Sequence, residues 1–480
     1  MNYLMIVNVL GLVLQFQAMF LLLPCMVSGI YREHEGFAFL CMAVVCAVAG
    51  TLCRRIKTEN KQIYAREGLV IVAFAWIVMS LTGAIPFVLA KEIPSFTDAF
   101  FETASGFTTT GASILTDVDA MSKCCLFWRS FTHWIGGMGV IVFIVAILPM
   151  TGGQNMHLIR AESPGPSVGK LVPKAKESAR ILYIIYLALT VAQIMILAVI
   201  GMPLFDAITI AFGSAGTGGF AVHSSGVAGY TPLMQTVIAI FVIMFGINFN
   251  FYFYLRGKHK KEAFQISEVR WYLGIVLASV IIITANIRGL YEHIGEALHH
   301  ALFQVACIMT TTGFASADFD VWPILSKSLL VLLMFIGACA GSTGGGLKVS
   351  RVIILFKSIR KEIAHIVHPR SVTAVMMDGR SVPAEMSDGV KTYLATYTVI
   401  FATSCVLVAA FDATSFETVF TSVAATINNI GPGLGGVGPM ANYAWLSTPS
   451  KWVLIFDMLA GRLELYPMLI LLTPGLWRQK

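Results

Sequence analysis

The sequence predicts an all-α membrane protein: two N-terminal helices followed by four pseudo-repeated membrane–pore–membrane units around one central pore, about ten transmembrane helices in total. Three observations lead to this prediction: the composition, the positions of the basic residues and an internal repeat. Of the 480 residues, 57% are hydrophobic and 12% are charged, whereas soluble proteins carry about 25% charged residues. So much apolar surface indicates an integral membrane protein.

The spans are predicted by apolar stretches, most of which reach the ~20 residues that a helix needs to cross a bilayer. Residues 324–340 and 349–367 are separated by a Gly-rich stretch, and we interpret them as one span with an interrupted centre. The stretches lie near residues 4–30, 37–53, 68–90, 126–150, 180–202, 232–255, 271–287, 324–340, 349–367, 390–411 and 450–474.

The basic residues predict the topology. Most of the 33 lysines and arginines fall in four segments, residues 54–66, 160–180, 256–270 and 348–391. Such clusters mark the cytoplasmic ends of spans, so placing all four inside puts both termini in the cytoplasm. Topology thereby accounts for the net charge of +7, and no nucleic-acid partner is expected.

Four shorter segments are too polar to span a membrane and too apolar to be simple loops. They are residues 94–113, 203–220, 292–316 and 413–438. Each begins like a helix and ends in Gly, Thr, Ser or Asn, as expected of a re-entrant half-helix with an extended tail. Irregular backbone survives at membrane depth only where it is buried in protein or lines a watery cavity. Four such tails therefore predict a polar path through the protein.

The four tails align on one glycine, at positions 111, 219, 313 and 431, and thirteen residues earlier stand Asp98, Asp206, His300 and Thr418. Matching columns in four similarly placed segments indicate internal repetition. The predicted units are residues 1–66 (N-terminal helix pair), 67–160, 161–262, 263–380 (with the interrupted second span) and 381–480.

Four extended loops around an axis can present rings of backbone carbonyls that replace the water shell of an alkali cation. The C-terminal ends of the half-helices would add a negative partial charge there. The competing interpretation, four unrelated surface turns, does not explain their common register. The candidate filter residues are Thr109, Thr110, Gly111, Thr217, Gly218, Gly219, Thr311, Thr312, Gly313, Asn429, Ile430 and Gly431.

Three stretches, residues 105–112, 309–314 and 428–433 (SGFTTTGA, MTTTGF and NNIGPG), resemble the Trk/Ktr/HKT superfamily of potassium transporters. The extra N-terminal spans and residues 161–173 are similar to its bacterial TrkH type. The resemblance implies potassium as the transported ion, with no organic cofactor. It also implies a homodimer in the inner membrane, surrounded by lipid, and a cytosolic nucleotide-binding regulatory subunit of the TrkA type. Gly111 favours potassium over sodium, whereas Gly216 and Gly218 depart from the Thr-rich pattern.

The interrupted span resembles the family's intramembrane gating loop, which implies a gate formed by Gly341, Ser342, Thr343, Gly344, Gly345 and Gly346. A simple break between two helices is the alternative. Arg462 lies within the last apolar stretch, where an ionisable residue is a functional candidate. The resemblance implies that it protrudes into the pore as a constriction. The alternative is an ion pair with Glu464 or Asp457.

Other functions have weaker support. Asp117, Asp119, Asp318 and Asp320 follow two of the tails, and they predict either an acidic mouth that concentrates cations or merely solvated loops. A sodium-permeable or ion-coupled member of the same superfamily is the main alternative function. An intramembrane enzyme would need a nucleophile–base pair or metal ligands on facing spans. The sequence shows no nucleophile–base pair or metal-ligand set with convincing spacing, and its nine cysteines include no C-x-x-C pair. No catalytic residue is therefore predicted.

Overall fold

The computed structural model describes residues 1–56, 64–147, 175–256, 260–370 and 373–477. Within these ranges nearly all regular structure is helical, with one antiparallel hairpin of β1 (Met376–Met377) and β2 (Arg380–Ser381). Two 3₁₀ turns lie at Phe319–Val321 and Gly435–Val437. Residues 161–173, which carry part of the resemblance, lie outside the described residues, as do most of the basic segments 54–66 and 160–180.

The helices follow the predicted order. They are α1 Tyr3–Tyr31, α2 Gly36–Arg55, α3 Ala65–Leu89, α4 Phe96–Phe107, α5 Lys123–Ile147, α6 Ala175–Val199, α7 Leu204–Gly216, α8 Pro232–Gly246, α9 Phe249–Arg256, α10 Lys260–Gln265, α11 Ser267–Ile287, α12 Ile294–Met309, α13 Ile324–Ile336, α14 Val349–Val367, α15 Ala384–Phe411, α16 Phe416–Ile427, α17 Thr448–Arg462, α18 Tyr466–Leu471 and α19 Pro474–Trp477.

The class of all-α membrane protein is confirmed. Six described helices are long and apolar enough to cross a membrane, and α8 with α9 makes a seventh if the pair counts as one span. These six are α1, α2, α3, α11, α15 and the part of α6 from residue 180 onwards. The total of about ten spans stays a prediction, because several remaining helices are too short to span alone.

Four short helices, α4, α7, α12 and α16, each follow a long helix and precede another apolar helix. The 12 residues of α4 rise about 18 Å, which is little more than half of the ~30 Å hydrocarbon core. Ser95 and Ser415 cap α4 and α16 by accepting hydrogen bonds from the backbone N–H groups of Asp98 and Thr418. The repeated order of a long helix, a short helix and a further apolar helix thus occurs four times along the chain.

The N-terminal helix pair is joined to the first of these units by one carboxylate. Glu33, which lies between α1 and α2, accepts hydrogen bonds from the backbone N–H groups of Lys123 (2.6 Å) and Cys124 (2.9 Å). Both groups lie at the start of α5, where helical N–H groups have no intrahelical partner and a negative charge is favourable. Phe39 of α2 packs edge-on against the buried Trp128 of α5.

Three spans are interrupted. The predicted break is present, because α13 ends at Ile336 and α14 begins at Val349. The structure corrects two predicted continuous spans: residues 232–255 bend by 92° between α8 and α9. Residues 450–474 are divided after α17, where Glu464 and Leu465 adopt positive φ angles. Both breaks were missed because each stretch stays apolar on either side of a few polar residues.

Candidate ion pathway

The four glycine-containing tails have one backbone conformation. Two residues before each glycine the chain is left-handed, with φ between 54° and 60°, and the glycine itself has φ between 79° and 98°. A left-handed conformation is energetically unfavourable for a residue that has a Cβ atom, whereas glycine adopts it without a steric penalty. The four left-handed residues are Thr109, Thr217, Thr311 and Asn429. This shared strain supports the predicted repeat at atomic detail.

We refer to the three residues that end at each glycine, 109–111, 217–219, 311–313 and 429–431, as the first to fourth strands. Each glycine packs against the next strand in cyclic order. A Cβ atom on Gly111 would overlap the carbonyl oxygen of Gly218. Gly218 directly precedes the column glycine of the next strand, Gly219. The same relation joins Gly219 to Thr312 and Gly313 to Ile430. The ring is closed by Gly431, whose Cβ would lie 2.7 Å from the carbonyl oxygen of Thr110. The four strands therefore surround a single axis, and side chains at the glycine column would break the ring.

Each strand continues from the C-terminal end of its short helix. In the first, third and fourth, the residue three before the glycine hydrogen-bonds the helix backbone with its side chain, over 2.6–2.9 Å. These residues are Thr108, Thr310 and Asn428. Because unpaired carbonyls make a helix C-terminus partially negative, all four helices favour a cation at the axis.

A cavity of about 120 Å³ lies above the ring, and all four glycines line it. The phenol of Tyr443 hydrogen-bonds the carbonyl oxygen of Gly431 (2.7 Å), and the backbone N–H of Tyr443 hydrogen-bonds the carbonyl oxygen of Ser113 (2.8 Å). Tyr443 therefore joins the fourth strand to the segment that follows the first. No local pattern in the sequence indicates this role, since the contact joins residues about 330 positions apart.

Carboxylates of the predicted acidic mouth accept hydrogen bonds from neighbouring loops. Asp119 accepts hydrogen bonds from the backbone N–H of Ser224 (2.9 Å) and contacts the His223 ring (2.7 Å). The Ser224 bond, then the His223 contact, lowers the pKa of Asp119 to about 2. Asp320 accepts a hydrogen bond from the N–H of Gly435 (3.1 Å). Asp119 thus joins the loops that follow the first and second strands, and Asp320 joins those that follow the third and fourth. Their role as an acidic mouth stays a prediction.

The Gly-rich interruption lies directly beneath the ring. The backbone N–H of Gly345 donates a 2.6 Å hydrogen bond to the hydroxyl of Thr311. A Cβ on Gly345 would overlap the carbonyl oxygen of Asn428, and one on Gly344 would lie 2.8 Å from that of Thr310. Residues 337–348 are therefore packed against the inner ends of the third and fourth strands. This is the position predicted for a gating loop, and its role as a gate stays a prediction.

A buried carboxylate that the sequence analysis overlooked holds this segment in place. Glu268, at the start of α11, accepts hydrogen bonds from the N–H groups of Ala340 (2.7 Å) and Ser350 (3.1 Å), on either side of the glycines. Asn248, at the bend between α8 and α9, also hydrogen-bonds Glu268. Both ends of the interruption are thus tied to one side chain.

Arg462 joins the interrupted segment to α5 beneath the ring. Its guanidinium donates hydrogen bonds to the carbonyl oxygens of Thr343 in the interrupted segment (2.8 Å) and Gly136 in α5 (2.7 Å). The alternative ion pairs are not formed in this conformation: Glu464 pairs with Arg351, and Asp457 accepts a hydrogen bond from Ser404. Ser342 and Thr343 direct their hydroxyls to backbone carbonyls of Cys339 and Phe245.

A second overlooked element is a buried ion pair behind the first two strands. Arg129 of α5 and Glu102 of α4 are 2.7 Å apart, with side chains 2% and 0% exposed. Glu102 also accepts hydrogen bonds from Ser113 and the N–H of Ile114, directly after the first strand. Arg129 donates to the carbonyl oxygen of Ala221, after the second strand. Arg129 stands in an apolar stretch, where the rule that singled out Arg462 applies equally, and Glu102 lies in the first half-helix segment.

The comparisons with known proteins agree with this geometry. The profile of the TrkH family, described as cation transport proteins, matches residues 35–476. The chain belongs to the TrkH family. Its relatives in that family include the "Trk system potassium uptake protein TrkH" of Salmonella typhimurium (39% identical) and that of Escherichia coli K12 (38%), each over 100% of both chains. The "Trk system potassium uptake protein TrkG" of E. coli K12 is 33% identical over 98% of both chains.

A solved member of the TrkH family has the same fold. The crystal structure of the potassium transporter TrkH from Vibrio parahaemolyticus matches 100% of both chains with a TM-score of 0.89 and 34% sequence identity. The resemblance inferred from the filter motifs is therefore confirmed. The match also confirms a transporter in place of an intramembrane enzyme. Among the described residues, no group of three or more His, Cys, Asp or Glu side chains is arranged to hold a metal ion.

Proposed function

We propose that this TrkH-family chain takes up potassium through the ring of four strands, with the interrupted segment as its gate. The observation that carries the proposal is the cyclic packing of the four glycines against carbonyls of the adjacent strands. Carbonyl rings are the groups that replace the water shell of a potassium ion, and potassium is the ion that the relatives' names specify.

The proposed filter comprises residues 109–111, 217–219, 311–313 and 429–431, with potassium bound as cargo. Residues 341–346 form the proposed gate, and Arg462 the proposed constriction below the filter. Three physical terms support this arrangement: backbone oxygens at the axis, four helix C-termini directed at it, and a guanidinium that spans the path from α5 to the gate.

We further propose the division into a helix pair (1–66) and four pore units (67–160, 161–262, 263–380 and 381–480). The order of long and short helices supports it. The chain is proposed to lie in the inner membrane with both termini in the cytoplasm, surrounded by lipid, as a homodimer. A nucleotide-binding subunit of the TrkA type is the proposed cytosolic partner, which the "Trk system" names of the relatives support.

Cation flux into liposomes tests the proposed function. The purified protein is reconstituted, and uptake of potassium, rubidium and sodium is compared with that of protein-free liposomes. We expect potassium and rubidium flux to exceed sodium flux by at least about tenfold, which corresponds to ~1.4 kcal/mol of discrimination. Equal potassium and sodium flux would favour the sodium-permeable alternative. Flux that requires a proton or sodium gradient would favour an ion-coupled member.

A further inference from the structure

The second filter strand lacks the threonine pair of the first and third strands, and its Thr217 hydroxyl donates instead to the carbonyl oxygen of the preceding Gly216. In the first and third strands, two threonines stand one and three residues before the glycine, and their hydroxyls lie 2.8 Å apart. The first hydroxyl of each pair donates a hydrogen bond to a carbonyl of its own short helix. The second strand has Gly216 and Gly218 at these two positions. Another group has to fix this strand if it is to match its neighbours.

The space behind the second strand is filled by His133 of α5. Its side chain is fully buried, with 0% exposure. Nδ1 lies 2.8 Å from the carbonyl oxygen of Gly106, at the end of α4, and Nε2 lies 3.2 Å from the backbone nitrogen of Phe220. Because a carbonyl oxygen only accepts, Nδ1 carries the proton, and Nε2 accepts from the Phe220 N–H. One neutral tautomer satisfies both bonds.

His133 and the second strand exclude any larger residue at the two glycine positions. A Cβ on Gly218 would overlap the imidazole ring, and one on Gly216 would overlap the backbone carbonyl of His133. The conflict at Gly218 involves only a side chain, so removal of the imidazole would relieve it. The conflict at Gly216 would remain in any variant of His133.

The carbonyl oxygen of Gly218 is the one that the second strand contributes against Gly111 in the ring. The ring of His133 lies directly against the α-carbon of this residue, and its Nε2 holds the residue that follows Gly219. Displacement of the imidazole would therefore move one of the four carbonyls that face the ion. Ion discrimination by carbonyls depends on their number and position, so selectivity is the property most sensitive to this contact.

We infer that His133 is a positioning residue for the second filter strand, where its imidazole replaces the threonine pair of the first and third strands. His133 and Gly218 form a coupled pair: the histidine requires the glycine, and the glycine leaves a gap that the histidine fills. The inference rests on the proposed filter and accounts for the departure of this strand from the Thr-rich pattern.

A double-mutant cycle tests the inference on wild-type protein, His133→Ala, Gly218→Thr and the double variant, with the potassium-to-sodium flux ratio in liposomes as readout. We expect each single substitution to lower the ratio by about tenfold or more. The double variant should keep a ratio several-fold above the product of the two single effects, because residues in contact are not additive. Independent, multiplicative effects would overturn the inference, as would wild-type selectivity in Gly218→Thr.

A second measurement, two replacement variants and a control make the test decisive. The shift in melting temperature between potassium and sodium, measured on the same proteins, reports ion occupancy without an open gate. A wild-type protein that binds neither ion selectively contradicts the proposed function, whereas a selective wild type with multiplicative variants contradicts only the coupling. Where His133→Ala or Gly218→Thr does not fold, His133→Asn and Gly218→Ala replace them with the same expectation. The exposed His365→Ala is the matched control and should leave the ratio unchanged.

Discussion

Substitution of Arg462 by alanine is expected to raise potassium flux by about tenfold or more. The guanidinium donates two hydrogen bonds across the path, to Thr343 and Gly136, and bonds from a charged donor contribute about 1.5–3 kcal/mol each. Their loss favours movement of the proposed gate, residues 341–346, away from the ring, and about 1.4 kcal/mol is already tenfold in an equilibrium constant. The substitution also removes a positive charge that repels cations below the filter. Flux from reconstituted liposomes is the measurement.

One variant separates the effect of the charge from that of the hydrogen bonds, and a second variant is the control. Arg462→Lys keeps the charge but cannot donate to both carbonyls from the same position. It should therefore raise flux less than alanine if the charge dominates, and nearly as much if the bridge dominates. Arg360→Ala removes an exposed arginine of α14 and should leave flux unchanged. An Arg462→Ala protein with wild-type flux would show that the bridge does not hold the gate closed.

The second large effect concerns the buried Glu102–Arg129 pair. Glu102→Leu leaves the Arg129 guanidinium without its carboxylate in a site where the side chain is 2% exposed. Removal of one partner from a buried pair costs about 3–5 kcal/mol, so we expect a clearly lower melting temperature and loss of flux. Thermal melting of the purified protein in detergent measures this.

The double variant Glu102→Leu/Arg129→Met distinguishes stability from positioning. Replacement of both charges by apolar groups is often close to neutral for stability, so the melting temperature should recover. Selectivity should not recover, because Ser113, the Ile114 N–H and the Ala221 carbonyl lose the partners that hold the first two strands. A Glu102→Leu protein that melts at the wild-type temperature would contradict the role of the pair.

The sequence was sufficient to predict the features that repeat or that interrupt a pattern. The glycine column at 111, 219, 313 and 431 is visible because four segments share it. The structure adds that the residue two positions before each glycine is left-handed. The break between α13 and α14 is visible because glycines interrupt an apolar run. Such features are local, and their physical cause lies in the residues themselves.

Contacts between repeats could not be predicted in this way. His133 and Arg129 bind the segment after the second strand, 87 and 92 residues away along the chain. Tyr443 binds Ser113, about 330 residues away. No spacing rule links them before the fold is known. The bend at Asn248 and the break after Arg462 were also hidden, because both lie in stretches that stay apolar on either side. Buried charges in apolar segments were the one available signal, and it applied to more residues than Arg462.

The potassium-to-sodium flux ratio of Gly313→Ser, compared with that of Gly295→Ser, tests the four-strand filter most directly. Gly313 has φ of 79°, and a Cβ there would overlap the carbonyl oxygen of Ile430. Gly295 lies in α12 of the same repeat, where a Cβ meets nothing within 4 Å. The filter account predicts that the ratio falls by at least about tenfold in Gly313→Ser and is unchanged in Gly295→Ser. A wild-type ratio in Gly313→Ser would contradict the account.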